Sequence, residues 1–363
     1  MTESIARLLR RACTAAWLCG AALAAAQPQN GASAASTAPS SAGYGAREEA
    51  LRFADALAER APDLDAQWIR GQLAAAQFVP AVARLIMPPA AGTAKDWAAY
   101  RARFIEPERI DAGLAFWRAH AKVLADAEER WGVPAEIVVG IIGVETFFGR
   151  VTGNFRVLDA LATLSFDFPG GRSDRSPFFR SELEEFLLWC ARERRDPGGV
   201  RGSFAGAIGL PQFMPSSIAR WAIDFDDDGH IDLADNAADA IGSVAHYLAA
   251  FGWQRGLPTH FRVRVPVDAA ERAVLLGPDI MPSFTASDFA QRGAALAPEA
   301  YDHDGPLALV ELQNGGAAPS YVAGTRNFYV ITRYNWSSYY AMAVIELATA
   351  VAQRRQAAMA QGR

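Results

Sequence analysis

A strongly apolar stretch of the chain runs over residues 134–149. It opens on a proline, which suits the first turn of a helix, and closes on a glycine, which suits the position just past a helix end. Apolar residues recur within it at helical spacing and share one face with Glu145. The residues on that face are Val138, Ile141 and Ile142.

A carboxyl group held among apolar side chains resists ionisation, so we expect the pKa of Glu145 to be raised. Such a group stays protonated near neutral pH and can act as a general acid. The alternative is a structural glutamate that reaches solvent or pairs with an arginine. For a single helical glutamate this alternative is the commoner one, so the rest of the chain has to decide.

Helical periodicity continues on both sides of this stretch. The pattern predicts helices over residues 48–59 and 64–75, and a long helix from Asp111 to Gly132. Two more helices are predicted over residues 156–166 and 178–193. The first half of the chain therefore indicates a helical fold.

The segment from Ser203 to Ser217 contains two glycines and two prolines that interrupt regular structure, at positions 206, 209, 211 and 215. A loop of this kind lets backbone and side chains approach a bound ligand closely.

An aspartate-rich loop follows and matches the calcium loop of an EF-hand, with glycine at its sixth position. An acidic loop that binds nothing is the alternative, but crowding these carboxylates without a cation is costly. The sequence leaves open whether Asp235 or Asp239 closes the loop. The candidate calcium ligands are Asp224, Asp226, Asp228, His230, Asp232, Asp235 and Asp239.

After Thr259 the pattern alternates as in strands, which we predict over residues 260–266, 306–312 and 327–333. A last helix is predicted from Tyr339 to about Gln353. The chain is therefore expected to be mainly α, in the α+β class, with a small strand-rich insert.

The composition narrows the class of protein. The chain has 363 residues, 51% of them hydrophobic, and a formal net charge of -5. That length allows two or three packed units, and the acidic balance argues against a nucleic-acid partner. Of the three cysteines, Cys190 alone lies beyond the N-terminal region, so no internal disulfide is expected.

Residues 1–26 have the basic start, short apolar run and small residues of a secretory signal. Cys19 raises the question of lipidation, but Trp17 and Leu18 are bulky where a lipoprotein signal needs a small residue. We expect a soluble exported protein. The predicted organisation is a signal peptide (1–26), a flexible linker (27–46), an N-terminal helical region (47–111), a core with the calcium loop (112–257), a β-rich insert (258–332) and a C-terminal helix completing the core (333–363).

Four motifs occur in one order: Gly140-Ile-Ile-Gly-Val-Glu-Thr, Gly206-Ala-Ile-Gly-Leu-Pro-Gln-Phe-Met-Pro-Ser-Ser, the aspartate loop, and Thr332-Arg-Tyr-Asn. Together they resemble the membrane-bound lytic murein transglycosylase B family over roughly residues 48–353. The resemblance implies a lysozyme-like helical core with a structural calcium ion and a long groove for glycan strands.

The resemblance also implies roles for individual residues. Glu145 matches the catalytic acid/base. Arg175 matches the basic residue of the groove, and Arg172 is the alternative, because the loop that contains them differs in length from that of other members of the family. The matches to substrate-binding residues are Ser203, Gln212, Tyr100, Arg175, Tyr247, Tyr334, Asn335 and Tyr340.

The implied reaction cleaves the β-1,4 bond between N-acetylmuramic acid and N-acetylglucosamine in peptidoglycan, without water, and leaves a 1,6-anhydro product. A hydrolytic muramidase would need a second carboxylate. None is obvious, although Asp167, Asp174 and Glu182 remain open. The alternatives are such a muramidase and a non-catalytic, calcium-stabilised peptidoglycan-binding protein.

The expected partner is the peptidoglycan glycan strand, and the expected location is the periplasm. The resemblance also allows enzymes of cell-wall synthesis or hydrolysis as partners. A monomer is expected, and no nucleic acid.

Overall fold

The computed structural model describes residues 43–88, 95–171 and 173–361. The expected signal peptide, Cys19 and Arg172 lie outside these residues. The fold is mainly helical with small antiparallel sheets, which confirms the predicted class. The helices are α1 (Glu48–Arg60), α2 (Ala66–Ala75), α3 (Pro80–Leu85), α4 (Trp97–Ala102), α5 (Pro107–Ala119), α6 (Ala121–Trp131), α7 (Ala135–Thr146), α8 (Val157–Phe166), α9 (Ser176–Arg192), α10 (Pro215–Trp221), α11 (Ala237–Ala250), α12 (Ala269–Leu276), α13 (Ala286–Gln291), α14 (Arg326–Thr332) and α15 (Ser338–Gln361).

The strands form two small sheets among the described residues. A two-stranded sheet pairs β1 with β2, and a four-stranded antiparallel sheet has the order β4-β3-β6-β5. The strands are β1 (Phe155–Arg156), β2 (Arg201–Gly202), β3 (His260–Arg264), β4 (Ala295–Leu296), β5 (Ala308–Asn314) and β6 (Ala317–Gly324).

Helix α7, which carries Glu145, is apolar all round and lies in the centre of the core. It packs against α15. Gly140 makes this close approach possible, because a Cβ atom at that position would lie 2.6 Å from the carbonyl oxygen of Val344. The glycines of α7 therefore bring the C-terminal helix alongside Glu145.

The strand-rich insert has a second hydrophobic core around Phe261, Phe289 and Leu309. Tyr339, on α15, ties it to the main core: its hydroxyl accepts from the N–H of Gln313 at 2.8 Å and donates to the carbonyl of the same residue at 3.1 Å. The insert is thus held against the helix that faces Glu145.

Two helix predictions need correction. The helix carrying Glu145 ends at Thr146 rather than beside Gly149, because Phe147 already adopts a left-handed conformation. The long helix predicted from Asp111 to Gly132 is two helices, α5 and α6, separated at His120. The apolar spacing stays in phase across this one-residue break, so the pattern does not reveal it.

The strand predicted over residues 327–333 is wrong, because that segment is helix α14. Its aromatic and β-branched residues resemble a strand, but tertiary context overrides that preference. The Thr325 side chain caps the helix, and the Asn327 amide donates to the carbonyls of Gln254 and Leu257. Strand β6, which the alternation did not predict, is one of the two inner strands of the four-stranded sheet, between β3 and β5.

The linker prediction is wrong for its last residues. Tyr44 is 2% exposed, and its hydroxyl donates to Asp167 at 2.7 Å. Gly43 lies against α2, where a Cβ atom would meet the carbonyl oxygen of Ala74. Residues 43–46 therefore belong to the folded part of the chain.

Within the described residues, no helix combines the length and the apolar character needed to cross a bilayer.

Candidate active site

Glu145 lies in the last turn of α7, and its side chain is neither fully buried nor fully exposed. Its Oε1 accepts a hydrogen bond of 2.7 Å from the hydroxyl of Tyr340 on α15. Burial raises the pKa of Glu145 to about 7, and the bond from Tyr340 acts in the opposite direction. This carboxyl can therefore donate a proton near neutral pH and hold it again afterwards.

The chain turns sharply straight after Glu145. Phe147, Phe148 and Gly149 all have positive φ, of 52°, 57° and 88°. Left-handed backbone is unfavourable for phenylalanine and persists only where the surroundings enforce it. The turn therefore ends α7 at Thr146, one residue after Glu145.

The sequence did not point to Arg109, a buried residue of α5 that contacts the end of α7 and this turn. Arg109 is 4% exposed, its Nη1 donates to the carbonyl of Gly143 at 2.7 Å, and its guanidinium lies 4.3 Å from the ring centre of Phe147. A cation suits the carbonyl end of a helix. The sequence feature that could have identified Arg109 is its position four residues before Gly113, on the apolar side of α5.

The loop after β2 folds back on itself through backbone hydrogen bonds between Ile208 and Phe213. The Oγ of Ser203 accepts from the N–H groups of Ala205 at 3.3 Å and Ala207 at 3.0 Å. Because the oxygen accepts both bonds, the hydroxyl hydrogen is available to donate elsewhere.

Gln212 lies in the same loop with a φ of 51°. Its amide nitrogen donates to the carbonyls of Thr152 at 3.0 Å and Gly209 at 2.9 Å. The loop is joined to the end of α7, because the Thr146 hydroxyl donates to the carbonyl of Leu210 at 3.0 Å. The structure thus fixes Gln212 relative to the Glu145 helix.

Three of the predicted tyrosines form one cluster. The rings of Tyr334 and Tyr340 stack at 6.2 Å, and Tyr247 meets Tyr334 edge-on at 4.9 Å. Tyr334 donates to the carbonyl of Pro211 at 2.5 Å, and Tyr247 to that of Arg333 at 2.6 Å. Tyr340 and Tyr247 are only 1% and 6% exposed, so most of their ring surface packs in the core.

Tyr100 lies on α4, packed edge-on against Tyr339. Its pKa is raised to about 12, first by burial and then by the charge of Glu145. Asn335 is buried directly after Tyr334. Arg175 lies at the start of α9, with its guanidinium 4.7 Å from the ring centre of Phe178. The roles of these residues stay predictions.

The other carboxylates considered from the sequence are engaged elsewhere. Asp167 pairs with Arg47 at 2.6 Å, Asp174 accepts from the N–H of Ser176, and buried Glu182 accepts from the N–H and hydroxyl of Ser216. Among the described residues, no carboxylate contributes to the pKa shift of Glu145. Glu145 is therefore the candidate for both proton transfers.

The aspartate loop brings three carboxylates together. Ligand atoms of Asp224, Asp226 and Asp239 all lie within 4.8 Å of one another. Asp239 is fully buried; burial raises its pKa, and the charges of Asp226 and Asp224 raise it further. Oxygen donors that repel one another fit a hard divalent cation such as calcium.

The remaining predicted ligands lie outside this group of three. Asp232 pairs with Arg195 at 2.8 Å, and the Oδ1 of Asp228 accepts from the N–H of His230. Asp239, rather than Asp235, brings a carboxylate to Asp224 and Asp226.

The chain is also similar to known proteins over most of its length. A family model described as the transglycosylase SLT domain matches residues 46–349. The membrane-bound lytic murein transglycosylase B of Escherichia coli (strain K12) is 41% identical over 314 residues, which covers 84% of this chain and 83% of that protein.

Two solved structures resemble this fold over most of the chain. The Escherichia coli lytic transglycosylase Slt35 in complex with calcium is 40% identical, with a TM-score of 0.73, over 85% of this chain and 94% of that one. SltB3 of Pseudomonas aeruginosa in complex with NAG-anhNAM-pentapeptide is 29% identical, with a TM-score of 0.67, over 82% of this chain and 78% of that one.

Proposed function

Because this chain belongs to the lytic murein transglycosylase B family and is an enzyme that acts on peptidoglycan, we propose that Glu145 is the single acid/base of its reaction. The observation that carries the proposal is a carboxyl in the last turn of α7 whose Oε1 accepts a hydrogen bond from Tyr340 and whose pKa burial raises to about 7. Inverting glycosidases divide the two proton transfers between two carboxylates, and retaining ones use a second carboxylate as the nucleophile. Here one residue performs both transfers.

In the first step, protonated Glu145 gives its proton to the glycosidic oxygen between N-acetylmuramic acid and N-acetylglucosamine. The C1–O bond breaks, the N-acetylglucosamine leaves as an alcohol, and positive charge develops on the muramic acid ring. The hydroxyl of Tyr340, 2.7 Å from Oε1, stabilises the carboxylate that this transfer creates.

In the second step, the Glu145 carboxylate takes the proton from the C6 hydroxyl of the same muramic acid, and that oxygen bonds to C1. The product is a 1,6-anhydro sugar, and Glu145 is protonated again. SltB3 of Pseudomonas aeruginosa, a structural relative, is known in complex with NAG-anhNAM-pentapeptide, which carries such an anhydro sugar.

Ser203 and Gln212 suit complementary roles toward the sugar. Ser203 has a hydroxyl hydrogen to donate, because its oxygen already accepts two N–H bonds. The Gln212 amide nitrogen is occupied by two carbonyls, which leaves the amide oxygen to accept from the N–H of an acetamido group. Tyr100 and Tyr334 offer partly exposed rings on which a sugar can stack.

For the metal, we propose a structural calcium ion held by Asp224, Asp226 and Asp239. These three carboxylates would hold the ion, whose charge would neutralise them and so hold together the loop that follows the Ser203–Phe213 segment. The relative Slt35 is known in complex with calcium.

The periplasmic location stays a prediction, motivated by residues 1–26 and by the substrate. Recovery of the full-length chain in the cytoplasm after cell fractionation would contradict it.

Glu145→Gln tests the assignment, because the amide keeps the shape of the side chain and cannot donate the proton. We expect turnover of purified sacculi to fall at least about 10³-fold, with an unchanged melting temperature at acidic pH. The matched control is Glu182→Gln, which alters a buried glutamate bonded to Ser216. Near-normal turnover in the Glu145 variant would refute the role of Glu145.

A further inference from the structure

Two arginines and two aromatic rings form a cluster on α14 and the turn after it. The guanidinium groups of Arg326 and Arg333 lie 5.3 Å and 5.8 Å from the ring centre of Tyr329, and Arg333 lies 5.1 Å from that of Trp336. Arg326 and Tyr329 lie on α14, and Arg333 directly follows its last residue with helical backbone, so the three recur at i, i+3 and i+7 on one face. We call these four residues the α14 cluster.

Arg326 is exposed and has no carboxylate within 4 Å among the residues that the structure describes. Its Nη2 donates to the carbonyl of Phe251 at 2.9 Å, which holds the guanidinium in place without neutralising it. A fixed cation over an aromatic ring is a recurrent means of binding carboxylates, because the planar group can donate two parallel hydrogen bonds.

A cavity of about 220 Å³ adjoins this cation. It is lined in part by Gln254, His303, Arg326 and Tyr329. The Nε2 of His303 is buried and has no hydrogen-bond partner within the described part of the chain. The cavity thus brings the Arg326 guanidinium together with His303 and Gln254 around one small space.

The α14 cluster is continuous with the site around Glu145. The carbonyl of Arg333 accepts from the hydroxyl of Tyr247, and the Arg333 guanidinium lies 5.2 Å from the ring centre of Phe251, which packs on Tyr247 at 4.5 Å. Tyr334, the next residue, stacks on Tyr340. The Arg333 end of the cluster therefore adjoins, in sequence and in packing, the tyrosines that surround Glu145.

We propose that the α14 cluster binds the carboxylates of a peptide stem carried by the glycan strand, and so contributes to recognition of stem-bearing substrate. The proposal rests on the function proposed above. In a chain that is acidic overall, with a net charge of -5, the exposed and unneutralised guanidinium of Arg326 is a local positive charge that complements an anionic part of the substrate. In the substrate, the carboxylates of the peptide stems supply this negative charge, and the sugar rings do not.

The experiment measures binding in a Glu145→Gln background, so that turnover does not interfere. The probes are soluble glycan fragments that carry tetrapeptide stems and the same fragments after an amidase has removed the stems. For Arg326→Gln combined with Arg333→Gln, we expect binding of the stem-bearing fragment to weaken roughly three- to tenfold, and that of the stem-free fragment to stay unchanged. The loss should shrink at high salt.

The matched control is Arg355→Gln. Arg355 also stacks on a tryptophan, at 4.8 Å from the ring centre of Trp117, but it lies some 20 Å along α15 from Tyr340. It should leave both affinities unchanged. If the double variant unfolds, Arg326→Gln alone repeats the test. Arg326→Lys should bind the stem-bearing fragment more tightly than Arg326→Gln does.

Equal losses on both fragments would overturn the proposal in favour of a packing role, and no loss on either would overturn it outright. Its failure is distinguishable from failure of the proposed function. If the wild-type enzyme formed no anhydro product, the reaction assigned to Glu145 would fall, while a stem-dependent difference in binding would still support the cluster.

Discussion

Two opposing effects set the pKa of the Glu145 carboxyl. Burial favours the protonated form and raises the pKa to about 7, whereas the hydrogen bond from Tyr340 favours the carboxylate. A catalyst that donates and then recovers a proton benefits from a pKa near the working pH. The Tyr340 hydroxyl therefore prevents burial from making the acid too weak.

Tyr340→Phe tests this balance. Activity requires the protonated acid before the first step, so the wild-type rate should fall as the pH rises through about 7. Without the phenol the pKa of Glu145 should rise further, and the alkaline limb of the kcat/KM profile should move to higher pH. The rate at neutral pH should drop about tenfold, because the new carboxylate loses a hydrogen bond.

Tyr247→Phe is the matched control, since its hydroxyl donates to the Arg333 carbonyl and not to Glu145. It should leave the alkaline limb in place. An unmoved limb in Tyr340→Phe, or one displaced to lower pH, would contradict the proposed balance.

At the scale of single residues, the sequence predicted the unusual carboxyl because Glu145 repeats in phase with Val138 and Ile141. It did not predict Arg109 or the left-handed Phe147, since both depend on contacts between α5 and the end of α7. Such contacts join residues far apart in the chain, and no local spacing records them.

At the scale of elements, α7 and the aspartate loop differ in how completely the sequence predicts them. The ends of α7 were predicted to within a few residues, because proline and glycine constrain the backbone locally. The loop's type was also predicted, but its closing carboxylate was left open between Asp235 and Asp239. Only the fold of α11 places Asp239 against Asp224 and Asp226.

Removal of calcium should destabilise the enzyme. With calcium at about 100 times its dissociation constant, binding contributes about 2.7 kcal/mol, so chelation should lower the melting temperature by about 5 °C. Asp239→Asn should abolish the response to calcium, whereas the control Asp235→Asn should retain it. An identical melting temperature with and without chelator would count against a calcium site.

At the scale of the whole molecule, the sequence predicted a mainly helical core with a separate strand-rich insert. It misassigned α14 as a strand, because aromatic and β-branched residues are common to strands and to buried helices. How the insert is held could not be read from the sequence either. The two bonds between Tyr339 and Gln313 join segments that only the tertiary fold brings together.

In the proposed reaction, the glycosidic bond is broken by an internal hydroxyl of the sugar and not by water. Digestion of sacculi in ¹⁸O-labelled water followed by mass spectrometry of the muropeptides tests that claim most directly. We predict products one water lighter than the hydrolysis products and free of ¹⁸O. Reducing-end products that carry ¹⁸O would contradict it.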